Sequence, residues 1–232
     1  MEIKDFNLKI EEMAEAGLHF GHKTSKLNPK MLPYLFGMRN TIYIIDLEKS
    51  KEKLEEALKF IYRLITEKKI ILVVGTKIQL KELVKKFADD CGFPYVNHRW
   101  LGGTFTNFEV VKKRVEYLKE LEEKKKKEEF DKYTKKEKML IDRKLVELEE
   151  KFGGLRNLER LPDAVFVLDM KKDALSVKEA REKGIKIIAI SDTNCDPTLV
   201  DFPIPASDDA ISSVKYILKK AKEIISKAKK TK

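Results

Sequence analysis

His19 and His22, in the stretch HFGH, have the spacing of two metal ligands on one turn of chain. His98, Cys91, Cys195, Asp192 and Asp196 could complete such a site only if the fold gathers them. The alternative is a histidine pair that packs inside or faces an anionic partner. Asp192 and Asp196 belong to SDTNCDP, which follows an apolar run, the place where α/β enzymes carry catalytic groups. However, no Gly-x-Ser-x-Gly elbow and no base beside Cys195 accompany them, and Asx-rich loops after strands are ordinary turn chemistry. A nucleotide enzyme would need a glycine-rich phosphate turn between strand and helix. ILVVG is followed by TKIQLKE, YIIDL by EKSKEK, and the Gly pair of RWLGGTFTN precedes a long helical stretch rather than a phosphate crossover. These motifs assign no catalytic residue, no cofactor and no metal ligand.

Two other stretches are defined by what they omit. In a chain that is 38% charged, residues 17–40 and 91–108 contain no Asp or Glu. The first holds Lys23, Lys26, Lys30 and Arg39. The second holds His98, Arg99 and the sole tryptophan, Trp100, beside Asn97 and Asn107. Basic groups neutralise phosphates and release counterions, while aromatic and amide side chains stack on or bond to exposed nucleotides. A neighbouring carboxylate would cancel that attraction. The net charge of +10 favours anionic partners in the same way. Phe20, Leu32, Tyr34, Leu35, Phe36 and Trp100 are expected to pack at least partly into the core, and Trp100 stays open between interior wedge and RNA contact.

The elements that must position these residues follow from apolar patterning. At 232 residues and 42% hydrophobic content, the chain can build one large core or a core with an insertion. Its apolar runs, at 41–47, 69–75, 94–98, 163–169, 185–191 and 202–205, read as strands covered on both faces, hence a parallel sheet with helical crossovers. Leu54, Leu58, Ile61 and Leu64 give one crossover helix its inner face, and Ile78, Leu80, Leu83, Val84 and Phe87 a second, which Gly92 ends. The stretch ALSVKEAREKG supplies a third crossover, and the last helix is expected to open on Asp208 and Asp209. From 106 to 152 there is neither Pro nor Gly. TNFE at 106–109 and TKKE at 134–137 each fit a capping box, so two helices are expected, joined around Lys124 to Tyr133. Phe108, Val111, Val115, Leu118 and Leu121 face Ile141, Leu145, Leu148 and Phe152 in an antiparallel hairpin closed by Gly153 and Gly154. The expected domains are an α/β body, 1–105 with 154–232, and an inserted coiled-coil hairpin, 106–153. The hairpin carries 15 basic and 13 acidic residues over 106–152, so it does not account for the global charge. The two distant cysteines and the charged start disfavour disulfides and secretion, and no apolar run is long enough to span a membrane.

In combination, EAGLHFGHKTSKLNPKMLPYLFGMRNTIYIIDLEKS, NHRWLGGTFTNF, FGGLRNLERLPDAVFVLD and IAISDTNCDPTLVDFPIPASDDAISSV resemble the bacterial ribosomal protein S-two family of the small subunit, in order and over essentially the whole chain. The resemblance implies a flavodoxin-like α/β/α domain with an inserted coiled coil and no catalytic activity. It implies a cytoplasmic, ribosomal location on the solvent side of the small subunit near the head-body junction. It also implies binding to 16S rRNA and docking of neighbours, including the OB-fold ribosomal protein S-one. Carried over residue by residue, the RNA-facing positions are Lys23, Lys26, Asn28, Lys30, Arg39, Asn40, Arg99, Trp100 and Asn107, with Arg156 after the hairpin. Two other classes stay open at this level: an enzyme using the strand-end carboxylates, and a coiled-coil adaptor that binds no RNA.

Overall fold

A computed structural model of the chain describes residues 6–127 and 132–230. Five strands, β4 (Ile71–Val74), β5 (Tyr95–Val96), β6 (Ala164–Val167), β7 (Lys186–Ser191) and β8 (Phe202–Pro205), pair in parallel in the order β5-β4-β6-β7-β8. Counted within this sheet alone, that is the 2-1-3-4-5 order of flavodoxin-like folds, with the direction of winding reversing between β4 and β6. Alternate residues feed opposite faces, as the two-residue period of a strand requires. Ile71, Val73, Phe166, Ile188 and Ile190 pack under α2 (Leu47–Thr66), α3 (Lys81–Cys91) and α7 (Ile211–Lys230). Leu72, Val74, Val165, Val167, Ile187 and Ala189 pack on the other face, with α6 (Ala174–Glu182) and the Trp100–Phe105 loop. The body is a three-layer α/β/α sandwich.

Between β5 and β6 run α4 (Phe108–Lys126) and α5 (Lys135–Phe152). Val111, Val115, Leu118 and Leu121 are buried against Leu145 and Phe152, and these residues join the apolar cluster on the second face of the sheet. The root of the hairpin is therefore continuous with the body. Residues 128–131 of the expected joint lie outside the described residues. The capping box at Thr134 forms, its hydroxyl accepting from Glu137 N while the Glu137 carboxylate accepts from Thr134 N at 2.8 Å. The one at Thr106 does not form, because Thr106 turns its amide and hydroxyl to Glu179 and α4 starts after Asn107 with no side-chain cap. At the hairpin's end, Gly154 lies so close to β5 that a Cβ there would overlap the Tyr95 carbonyl oxygen.

The run at 41–47 differs from expectation. It forms β3 (Ile42–Ile45), the centre of a separate antiparallel sheet between β1 (Phe20–Lys23) and β2 (Leu35–Arg39). Asn40 and Thr41, at φ +47° and +66°, make the two-residue turn that folds β2 onto β3. Positive φ at both central positions is what a primed hairpin turn needs, and the twist it imposes matches antiparallel neighbours. The small sheet lies over the carboxyl ends of β7 and β8: Asn28 N donates to Thr193 O at 2.9 Å and Ser207 N to Leu18 O at 3.0 Å. Two helix expectations also change. Ile78 sits in a 3-10 turn before α3 and is exposed, and α7 begins at Ile211, leaving Asp208 and Asp209 in the preceding loop. Among the described residues, no helix is long and apolar enough to cross a membrane.

Candidate nucleic-acid interface

The 17–40 segment presents its cations at the turn end of the small sheet. Lys23 and Arg39 are both paired with Ile42, from opposite sides. With strands about 4.8 Å apart, their backbones stand roughly 10 Å from each other on one level of the sheet. Thr24 N donates to Thr41 O at 3.0 Å, which brings the Thr24–Lys26 turn alongside the Asn40 turn. Lys23, Lys26, Arg39 and Asn40 are exposed. Among the described residues no carboxylate lies within ion-pair distance of Lys23, Lys26 or Arg39. Lys30 differs, since its Nζ meets Asp196 Oδ2 at 2.8 Å at a largely exposed position. Asn28 is occupied locally, its side chain accepting from Lys30 N at 3.0 Å. Around these cations Phe20, Leu32, Phe36 and Met38 are exposed, Phe36 to 81%. Phe20, Leu32 and Phe36 were expected nearer the core; Phe20 and Phe36 instead lie on β1 and β2, the two edge strands of the small sheet, and Leu32 on the 3-10 turn before β2.

The 91–108 segment is free of carboxylates in sequence but not in space. Glu179 of α6 lies beneath it and accepts five hydrogen bonds, from Trp100 Nε1 at 3.2 Å, Gly103 N at 2.9 Å, Phe105 N at 2.9 Å, Thr106 N at 3.2 Å and Thr106 Oγ1 at 3.3 Å. Burial is the largest influence on this carboxyl and opposes ionisation. The donors together outweigh it and hold its pKa below the ordinary value. The charge is thus absorbed by backbone amides and does not reach the outer surface, where Arg99 and Asn107 are exposed.

At the carboxyl ends of the parallel strands the chain's own polar side chains pair with one another. Asp173 accepts from Thr76 N at 3.1 Å and from Thr76 Oγ1 at 2.7 Å, across the β4–β6 reversal point. Lys77 Nζ lies 3.5 Å from Asp169, 3.1 Å from Asp208 and 2.5 Å from Asp209. Burial opposes the Lys77 charge most, yet these carboxylates together raise its pKa. Burial first, then the charges of Asp169 and Asp192, push Asp208 up to about 7, since the cluster holds more carboxylates than cations. His22 Nδ1 is 3.1 Å from Asp192 Oδ1, a bond that raises the imidazole pKa, while burial lowers that of His19. Burial drives the Cys195 thiol up to about 12 and Cys91 to about 11, so neither thiol supplies a thiolate nucleophile at neutral pH.

Asp173 gives a pH test of this pairing. Burial pushes its carboxyl up to about 6, against the pull of the Thr76 hydrogen bonds. Between about pH 4 and this value the folded state holds a proton that the unfolded chain has released, so stability falls as pH rises through that window. Asp173→Asn should therefore match the parent near pH 4 and exceed it at pH 8 by up to about 3 kcal/mol in urea unfolding. A difference that is independent of pH would rule this account out.

The family described as Ribosomal protein S2 matches residues 13–228. The chain belongs to the ribosomal protein S2 family. It is 47% identical to the small ribosomal subunit protein uS2 of Dictyoglomus turgidum, over 94% of this chain and 89% of that protein. It is 46% identical to the protein of the same name from Dictyoglomus thermophilum, over 96% and 91%.

On this S2-family scaffold two positions carried over as RNA-facing are engaged with the chain's own carboxylates, Trp100 buried and Arg156 part-exposed. Trp100 is 7% exposed, stands edge-on to Phe105 at 4.8 Å between centroids and gives its N–H to Glu179, so its face is unavailable for stacking on a base. Arg156 is paired with Glu122 of α4 and Glu149 of α5, which makes it a clasp across the hairpin root. Burial is the largest influence on its guanidinium, but the two glutamates raise its pKa overall. The fold also sorts the candidate metal ligands. His22 and Asp192 come together with Asp208 and Asp209, Asp196 turns to Lys30, and His98 Nδ1 lies 3.3 Å from Lys81 Nζ. Glu179, Lys77, Asp169, Asp208 and Asp209 were not singled out as site residues from sequence. For Asp169, Asp208 and Asp209 the local signal was acidic residues following apolar runs; Lys77 and Glu179 had none.

Proposed function

We propose that the chain is a cytoplasmic structural constituent of the small ribosomal subunit, that it binds 16S rRNA, and that it performs no catalysis. The observation that carries this reading is the set Lys23, Lys26 and Arg39, exposed, on connected turns, with no carboxylate within ion-pair distance among the described residues, although Lys26 is near enough to Asp209 to add to the Lys77 hydrogen bond in lowering its pKa. Phosphate groups fit such cations, and Arg99, Asn40 and Asn107 add exposed donors that suit folded RNA read by shape and backbone. Lys30 and Asn28 contribute more weakly, because one is paired and the other caps its own turn. At the place where this fold usually carries a substrate, the polar groups Asp173, Thr76, Lys77 and Asp208 are paired with one another, which supports the structural reading over the enzyme reading. Treating 106–153 as an inserted hairpin on the body 1–105 and 154–232, we assign it to contacts with neighbouring ribosomal proteins. Exposed Met139, Leu140 and Val146 on α5 support that role, and the apolar surface around Phe36 is a second candidate for docking, including of the OB-fold protein S-one.

Binding of the purified protein to 16S rRNA fragments, measured across a salt series, tests the reading. Affinity should fall steeply, with a log–log slope of about −0.7 to −0.9 for each phosphate neutralised. Association that is insensitive to salt would replace this reading with that of a protein-only adaptor.

A further inference from the structure

We propose that the loops leaving β4, β5 and β6 form a second phosphodiester-binding surface, made by Lys81, His98, Arg99, Lys171 and Lys172. The proposal rests on the RNA-binding reading and extends it to a patch separate from the turns of the 17–40 segment. β4 lies between β5 and β6, and Val74 is level with Val96 on one side and with Val167 on the other. The chain beyond β5, with His98 and Arg99, and the chain beyond β6, with Lys171 and Lys172, therefore leave the same end of the sheet about 10 Å apart. Lys81 opens α3 beside them, its Nζ 3.3 Å from His98 Nδ1. An ammonium can only donate, so that ring nitrogen accepts and the ring proton sits on Nε2, a further donor.

Charge is sorted by depth at this end of the sheet. Asp169, Asp173 and Glu179 are all buried, and each holds a loop in place. Asp169 accepts from Lys172 N at 2.7 Å, Asp173 ties the β6 loop to Thr76, and Glu179 fixes the chain that follows Arg99. The cations stay nearer the solvent. Arg99, Lys171 and Lys172 are exposed, Lys81 and His98 are half-buried, and among the described residues none of them has a carboxylate within ion-pair distance. Lys172 does act on Asp173, adding to the Thr76 hydrogen bonds against the burial that raises its pKa, but that carboxylate is already bonded to Thr76. Rigid loops thus hold like charges close together without internal neutralisation, and an anion relieves their repulsion.

A polyanion fits this surface better than a single acidic side chain. The cations come from three separate elements, and the small sheet that carries Lys23, Lys26 and Arg39 lies over the same end of the body, at β7 and β8. From β5 to β8 the sheet spans four strand spacings, about 19 Å. A ligand charged along its whole length can meet both patches at once, and the first contact then raises the effective concentration for the second. Ile78 and Leu175, 81% and 46% exposed, stand beside the cations, with Leu175 Cδ2 3.7 Å from where a Cβ on Gly102 would lie. They offer aliphatic contact to ribose, whereas Trp100 is buried and stacks on no base. The surface therefore reads backbone and shape.

The test measures binding of the full chain to 16S rRNA fragments across a salt series. Arg99→Ala, Lys171→Ala and Lys172→Ala together should leave the urea unfolding midpoint unchanged, because all three side chains are exposed, and should reduce the log–log salt slope by about three. The control, Lys68→Ala, Arg181→Ala and Lys183→Ala, removes the same charge at exposed positions just before β4 and β7, at the opposite end of the sheet, and should keep the parent's slope. A steep parent slope that the Arg99, Lys171 and Lys172 variant retains, or that the control loses equally, would overturn this proposal and leave the RNA-binding reading standing. A flat slope in the parent would overturn both. A variant that keeps the parent's slope but yields small subunits lacking a neighbouring ribosomal protein would assign the surface to an acidic protein segment instead.

Discussion

Replacing Glu179 with alanine should destabilise the folded protein by about 3–5 kcal/mol, the usual range for breaking a buried charge network from one side. All of its partners in the 91–108 segment are donors, and those of Trp100 and Phe105 are buried. Removing the carboxylate leaves these N–H groups without acceptors in a space that water does not readily enter. Glu179→Gln is the sharper test. It keeps size and shape, but one of the two oxygens becomes an NH2 group aimed at other N–H groups. The glutamine variant should therefore lose most of what the alanine variant loses, although a glutamine would be harmless if shape alone mattered. The sole tryptophan sits in the network, so its fluorescence in denaturant reports the loss directly. A cost for Glu179→Gln below about 1 kcal/mol, the worth of a single ordinary hydrogen bond, would show that the carboxylate does not organise the loop. Because its pKa is held low, the contribution is present above the ordinary glutamate value, near 4.3, and is lost as pH falls through the folded value.

Such a network explains what was legible in the sequence and what was not. The parallel strands at 71–74, 164–167 and 186–191 were legible because both of their faces are covered, and the chain writes that condition locally as an unbroken apolar run. The run at 41–47 looks the same but is flanked by antiparallel neighbours. Its partners β1 and β2 are short, carry Gly21 and Gly37, and turn on Asn40–Thr41 without a glycine, so no alternation announced them. The stripes of α4 and α5 were legible for the same local reason as the strands. Side-chain contacts between distant residues were not. Trp100 and Glu179 are 79 residues apart, Lys77 and Asp208 131, and His22 and Thr193 171. The carboxylate-free spacing in sequence is matched in space at Lys23, Lys26 and Arg39 to the extent that no carboxylate lies within ion-pair distance of them among the described residues. It failed for 91–108, where Glu179 arrives from another element, and it could not foresee Asp196 beside Lys30.

The second large effect is expected from reversing those unpaired charges together. Lys23→Glu, Lys26→Glu and Arg39→Glu remove no ion pair or hydrogen bond among the described residues, and all three side chains are exposed. Exposed substitutions of this kind change stability by about 0.5 kcal/mol or less, so the triple variant should fold and unfold like its parent. Binding should respond very differently. Each cation that loses a phosphate takes about one unit from the salt slope, so the slope for 16S rRNA should shrink by about three. New carboxylates facing phosphates also repel, and incorporation into small subunits should be abolished in cells that express tagged protein. Lys69→Glu, Lys186→Glu and Lys222→Glu provide the control, with the same change of charge at positions engaged with Asp163, Asp201 and Asp90 away from the small sheet. If both triple variants lose rRNA binding equally, net charge alone drives association. If the Lys23, Lys26 and Arg39 variant enters subunits as its parent does, the 17–40 segment is not the RNA-facing surface. Loss confined to the first variant places the phosphate contact on the turns that carry Lys23, Lys26 and Arg39, because the control carries the same net charge and also gives up three ion pairs that the first variant does not.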